Sequence, residues 1–273
     1  MRFSNIGWWL GPWFLPALFS ARVSAQGYVG GSVTVSVPYV WRGIERASDV
    51  NTQGEVYGGF GFAGGYVSSG LWANIELSHQ HASELSDLGG DAPGLGELDW
   101  WAHYSRSFGR LQTTLGLIHY GHRAAGVGAD NTAELYAITQ IHLHQFFPKL
   151  AIFYDVDEVV GLYVEASLEA ALIANPYPKP KAAALVGVQT AFNWGQEPSA
   201  QHPQQQSNFA RTGSTHTDLW IAALVRPFRL EGHLTLNRDP RTRIVAIAPD
   251  RVRPVRFWVE LSATVLMRHR GRP

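Results

Sequence analysis

Apolar and polar residues alternate with a period of two along most of this chain. Val33, Val35, Val37, Tyr39 and Trp41 alternate with Ser32, Thr34, Ser36 and Arg42. Leu71, Ala73, Ile75 and Leu77 alternate with Trp72, Asn74, Glu76 and Ser78. Phe257, Val259, Leu261, Ala263 and Val265 alternate with Trp258, Glu260, Ser262 and Thr264. Successive strand side chains point to opposite faces, so this pattern predicts strands with one apolar and one polar face. Twelve segments follow it: 30–42, 53–63, 66–79, 97–108, 111–121, 133–145, 149–156, 159–173, 182–194, 216–227, 229–238 and 255–268. No window keeps a 3.6-residue period over a helix's length.

The connections alternate too. The first, third, fifth, ninth and eleventh are long (43–52, 80–96, 122–132, 195–215, 239–254), whereas most even ones are short. The exceptions are a short seventh, 157–158, and a Pro-rich eighth, 174–181. An even strand count, long loops at one end and short turns at the other are the layout of an outer-membrane barrel. A soluble sandwich gives no reason for it. Phe108, Phe146, Phe147, Tyr177 and Phe228 fall at the short turns, where an aromatic girdle belongs. The expected fold is all-β: a transmembrane antiparallel up-and-down β-barrel of about 12 strands.

Residues 1–25 read as a signal peptide. Arg2 is the positive start, Ile6–Phe19 the apolar stretch broken by Pro12 and Pro16, and Val23-Ser24-Ala25 the cleavage site. The expected organisation is 1–25 signal peptide and 26–273 barrel. Composition narrows the function. Lys+Arg and Asp+Glu are 22 each, so there is no basic surplus for nucleic acid. Zero cysteine removes disulfides, thiol catalysis and Cys-ligated metals. The expected partners are the lipid bilayer, the outer-membrane assembly machinery and a small cationic or neutral solute. The expected location is the bacterial outer membrane.

The polar face carries the candidate chemistry. The expected lumen-lining residues are Arg42, Glu55, Glu76, Asp99, His103, Glu134, His142, His144, Glu165, Glu169, Asp218, Glu231 and Glu260. Glu97 shares that face, and the clear inward bases are Arg42 and Arg256. Charges cannot sit unpaired in a dry interior, so the lumen is either wet or braced by Arg–carboxylate pairs. A wet acidic lumen is a narrow pore preferring cations, whereas a braced one is a structural or adhesive barrel working through its loops at 80–96 and 196–214. Arg42 closes the first strand, which makes Glu55 or Glu76 its expected partner. His142 and His144 could chelate a metal from one strand face, but no third ligand is fixed, so polar lining is the better reading and no cofactor is expected.

Gly59-Phe-Gly-Phe-Ala-Gly64 has dinucleotide-loop spacing, but no helix follows, which leaves strand glycines. Ser78 and His79 would point to opposite faces and cannot form a dyad. No enzyme is expected, a hydrolase at the barrel rim being the remaining alternative.

Residues Val37-Pro-Tyr-Val-Trp-Arg-Gly-Ile-Glu-Arg46, then Gln53-Gly54, then Ser69-Gly70-Leu71-Trp72-Ala73-Asn74, resemble the opening of a bacterial outer-membrane family of unknown function, the Gcw_chp-like (TorF) family. Tyr39, Arg42, Gly43, Gln53, Gly54, Gly70, Trp72 and Ala73 occupy its pattern. Tyr154-Asp155-Val156-Asp157, with Gly161 and Glu165, is similar to a tight hairpin of such barrels. The run Gly58-Gly59-Phe60-Gly61 departs from the pattern. The resemblance implies a barrel and transfers no catalytic residue.

Overall fold

The computed structural model describes residues 23–77, 94–121, 131–173, 182–197, 208–245 and 248–269. Most of residues 1–25, the stretch expected to be a signal peptide, Ser78, His79, Tyr177 and most of the loops at 80–96 and 196–214 lie outside them. The strands are β1 (Val23–Val37), β2 (Tyr39–Trp41), β3 (Ile44–Ala47), β4 (Asn51–Phe62), β5 (Gly65–Glu76) and β6 (Gly94–Phe108). Then come β7 (Leu111–Tyr120), β8 (Thr132–Ile141), β9 (Phe146–Asp155), β10 (Gly161–Ile173) and β11 (Ala182–Trp194). The last are β12 (Gly213–Val225), β13 (Phe228–Asn237), β14 (Ile244–Val245), β15 (Ala248–Val252) and β16 (Val255–His269).

Twelve of these strands close a barrel in the order β1-β4-β5-β6-β7-β8-β9-β10-β11-β12-β13-β16. The seam is antiparallel, with register from Gly27 opposite His269 to Val37 opposite Val259. Closure leaves no ladder edge unpaired. The short hairpins β2–β3 and β14–β15 stand outside the ring and belong to the long-connection end.

The two faces reverse the order of a soluble core. Ile221 is 67% and Phe257 76% exposed on the outside, with Val29, Val56, Leu115 and Val259 also exposed. Inside, Ser36, Asn51, Gln53, Glu134 and Thr235 are buried. An apolar belt around a polar interior is stable against hydrocarbon rather than water.

Three local readings are corrected. The first strand does not run to Arg42: Pro38 has no N–H to give the ladder, β1 stops at Val37, and a separate hairpin follows. The strand read as 133–145 ends at Ile141, and His144 sits exposed in the turn at φ 52°, so His142 and His144 do not share a strand face. Phe147 does not join the girdle. It turns inward at 2% exposure and packs with Ala171, Ala183, Leu185 and Ala222, whereas Phe108, Phe146 and Phe228 are exposed at the short turns.

The short β9–β10 connection is held by one carboxylate. Asp155 Oδ1 accepts the N–H groups of Asp157, Val159 and Val160 at 3.0, 3.1 and 3.1 Å, and Oδ2 accepts the Thr132 hydroxyl at 2.7 Å. Hydrogen bonds to a charged group each contribute about 1.5–3 kcal/mol. Asp155→Ala is expected to destabilise the barrel by about 3 kcal/mol or more, because it orphans several buried donors at once. The measurement is urea unfolding in detergent micelles, and Asp155→Asn should recover part of the loss.

Candidate functional site

The β2–β3 hairpin turns into the barrel instead of away from it. Its tip is Arg42-Gly43, at φ 51° and 76°, the two positive values that a tight two-residue hairpin turn requires. Glycine is needed at the second position for a further reason: a Cβ there would come 2.7 Å from the His216 ring on β12.

From that tip Arg42 reaches across the lumen to β8. Its Nη1 and Nη2 donate to Glu134 Oε1 and Oε2 at 2.7 and 2.6 Å, a two-pronged ion pair. Tyr120 donates to Glu134 Oε2 at 2.8 Å. The guanidinium lies 4.5, 4.8 and 4.2 Å from the ring centres of Trp41, Phe153 and Tyr163. Burial works against its charge, but the Glu134 carboxylate outweighs that and raises its pKa. The expected partners Glu55 and Glu76 are not the ones used, because Arg42 is a hairpin tip and not a strand end.

A second pair fixes the other side of the hairpin. Arg256 on β16 places Nε 3.0 Å from Glu45 Oε2 and donates from Nη1 to the Gly43 carbonyl at 3.0 Å. Phe209, fully buried, stacks on Tyr163 at 5.5 Å. Nearby, Glu197 accepts from Thr212, Asn193 and the Gly195 N–H. Partial burial opposes its charge, but these bonds prevail and lower its pKa.

Beneath the hairpin lies a cavity of about 400 Å³ bounded by Val40, Arg42 and Gly43 above and by β8–β13 and β16 around it. One wall is a charged network. Arg229 binds Glu169 at 2.7 Å and also Glu231. His233 places Nδ1 2.7 Å from Asp218 and Nε2 3.1 Å from Glu231. Thr235 donates to Asp218 at 2.8 Å, and Trp258 stacks on His233 at 3.6 Å. Away from this cavity, on the inward face of β4–β8, Trp101 stacks on His103 at 4.7 Å and donates to Glu55 at 2.9 Å, and His103 Nδ1 lies 3.0 Å from the Tyr136 hydroxyl.

The other sequence-derived candidates are placed as follows. Asp99 is buried inside and accepts the Gly121 N–H at 3.2 Å. Glu165 shares the inward face of β10 with Tyr163 and Glu169, since residues two apart face one way. Glu260 sits opposite Glu231 in the β13–β16 ladder. Glu76 is at the long-connection end of β5, its carboxylate beside Gly96. His142 is just past β8 against the Phe147 ring at 5.8 Å. Among the described residues no three His, Asp or Glu side chains are placed to hold a metal ion.

Sequence reasoning missed Arg229, His233, Lys149, Glu45 and Phe209. The first two were available, since Arg229, Glu231, His233 and Thr235 alternate with Leu230, Gly232, Leu234 and Leu236. Glu45 and Phe209 belong to connections, where alternation gives no direction.

Fold and site together define a class: a closed twelve-stranded barrel, apolar outside and polar inside, with its own first connection folded into its long-connection end. No family model and no curated protein matches the chain. Among solved structures it is similar to the COG4313 outer membrane channel from Pseudomonas putida F1, at 15% identity and TM-score 0.46 over 89% of this chain and 94% of that one. It is also similar to outer membrane phospholipase A from Escherichia coli, at 10% identity and TM-score 0.41 over 91% of each chain.

Proposed function

We propose that the chain is an outer-membrane channel for small cationic or neutral solutes, held shut at its long-loop end by the β2–β3 hairpin. The observation that carries this is the polar cavity of about 400 Å³ directly beneath the hairpin. A charge-lined space of this size holds several waters, as a hydrated passage requires. The apolar belt supports the membrane setting, and the long loops would face outwards. Around the cavity Glu169, Asp218 and Glu231 balance Arg42, Lys149 and Arg229; the wider lumen adds Glu55, Glu97, Asp99, Glu165 and Glu260, an excess that favours cations over anions. Membership of the Gcw_chp-like family belongs to the same proposal, resting on residues 37–46, 53–54 and 69–74.

One observation favours a second reading, a plugged structural barrel: both hairpin ion pairs are buried, and Arg42 grips Glu134 with two hydrogen bonds. Planar-bilayer recording of the full-length chain in a salt gradient separates the two. The channel reading expects discrete conductance with cation preference, weakened in Glu165→Gln/Glu260→Gln. Anion preference would contradict the acidic lumen. Silence that persists after removal of the hairpin would favour the plugged barrel.

A further inference from the structure

The cavity wall beside the charged network carries hydrogen-bonding groups that the network does not use. Gln140 on β8, Lys149 on β9, Ser167 on β10 and Gln189 on β11 are consecutive ladder partners: Gln140 opposite Lys149, Lys149 opposite Ser167, Ser167 opposite Gln189. Ladder partners share a face of the sheet. The four side chains therefore form one half-buried row across four strands, and all four line the cavity. Among the described residues no side-chain hydrogen bond or ion pair engages any of them. The next position of the row differs: Asp218, opposite Gln189, is already taken by Thr235 and His233.

An aromatic floor lies next to this row. Two residues along β11 from Gln189, Gly187 sits opposite Trp220 of β12 and under its indole. The ring reaches as far as β10, where Nε1 donates to Glu169 Oε2 at 3.4 Å. Arg229 fixes the same carboxylate at 2.7 Å. One face of the indole covers the glycine, and the other belongs to the cavity. Residues two apart on a strand are separated by roughly 7 Å, so the unengaged row stands one side-chain length from the ring.

Row and floor together select a chemistry. Amides and hydroxyls both donate and accept. A carboxylate only accepts: Lys149 suits it, but the two amide oxygens would stay idle and Glu169 would repel it. An organic cation suits Glu169 and is repelled by Lys149. A neutral ring with hydroxyls on its rim and C–H groups on its faces meets both parts, giving and taking bonds along the row while one face rests on the indole. The volume, about 400 Å³, lies within the range of about 300–1,000 Å³ usual for small-molecule sites.

We infer that this cavity is a saccharide-binding site. One pyranose ring lies on Trp220, with its hydroxyls bonded to Gln140, Lys149, Ser167 and Gln189. The inference rests on the channel reading for the route by which the sugar arrives, and it gives that channel's neutral solute a chemical class.

The test is isothermal titration calorimetry of the full-length protein in an amine-oxide detergent, because sugar-headed detergents would compete. The probes are glucose, galactose, xylose and maltose, with glutamate as the anion and putrescine as the cation. At least one sugar should bind. Gln189→Leu and Lys149→Met should each weaken that binding about tenfold or more, because each leaves a sugar hydroxyl without its partner. Gln145→Leu removes an amide from the exposed β8–β9 turn and should change nothing. Heat-modified gel mobility establishes that each variant is folded before it is titrated.

Failure of all four sugars to bind would overturn the inference, as would binding that both lumen variants retain in full. Glutamate or putrescine binding where no sugar binds would assign the row to a charged solute and overturn it equally. Conductance plays no part in the readout. A conducting barrel that binds no sugar loses this site and keeps the channel reading; a silent barrel that binds one keeps this site and loses the channel reading.

Discussion

Gly187→Val is expected to leave little or no folded barrel, whereas Gly54→Val is expected to be tolerated. Both glycines are in strand interiors and read alike in the sequence. The difference is what faces them. The Gly187 position lies under the Trp220 indole of the next strand, and a side chain there would occupy the space of the ring itself. Gly30 and Gly70 have the same relation to Tyr57 and Trp101, where a Cβ would meet ring carbons at 2.5 and 2.6 Å. Each inward aromatic thus lies flat over a neighbouring glycine, which lets large rings line a narrow lumen without filling it. Gly54 has nothing within 4 Å of its would-be Cβ and faces outwards. Overpacking a well-packed site costs about 1–3 kcal/mol, and displacing a whole indole belongs at the upper end or above. Heat-modified gel mobility reads the folded fraction. Trp220→Ala should restore part of the Gly187→Val loss; no rescue would mean that the glycine serves the strand and not the ring.

Arg42→Ala is the second large effect. It removes the partner of Glu134, a carboxylate whose side chain is 1% exposed, and leaves that charge buried. Breaking a buried ion pair from one side costs about 3–5 kcal/mol, chiefly through the charge left behind. Glu134→Ala should cost a similar amount by stranding Arg42. The double variant Arg42→Met/Glu134→Leu should be far milder than the sum, because it removes the charge with its partner. Thermal unfolding of the four proteins gives the coupling, and additive losses would show that the pair is not a unit. Conductance should rise in both single variants, since the hairpin tip loses its anchor on β8 and is left with the β16 contacts alone.

Nearly all of the barrel was legible in the sequence. The segments 182–194 and 255–268 differ little from β11 and β16, and the direction of Glu55, Glu169 and Asp218 follows from a period of two. That information is local, because a strand half against apolar surroundings must alternate. The hairpin was not legible, for a physical reason. Tyr39 and Trp41 continue the alternation of Val33–Val37, so nothing in the pattern marks the departure except Pro38. The tip turn carries Arg42 at positive φ, a conformation rarely taken by arginine, and it is repaid by contacts from Glu134, Phe153 and Tyr163 that lie far along the chain. Lumen chemistry depends on which strands face one another across the ring, and strand periodicity is silent on that.

The most direct test is the conductance of the full-length chain with residues 39–47 replaced by a short Gly-Ser linker, set beside the intact protein in the same bilayers. Opening to a larger, cation-preferring conductance is the expected result. An excised chain that folds normally and passes no more current than the intact one would contradict the account, because the stopper would then be closing nothing.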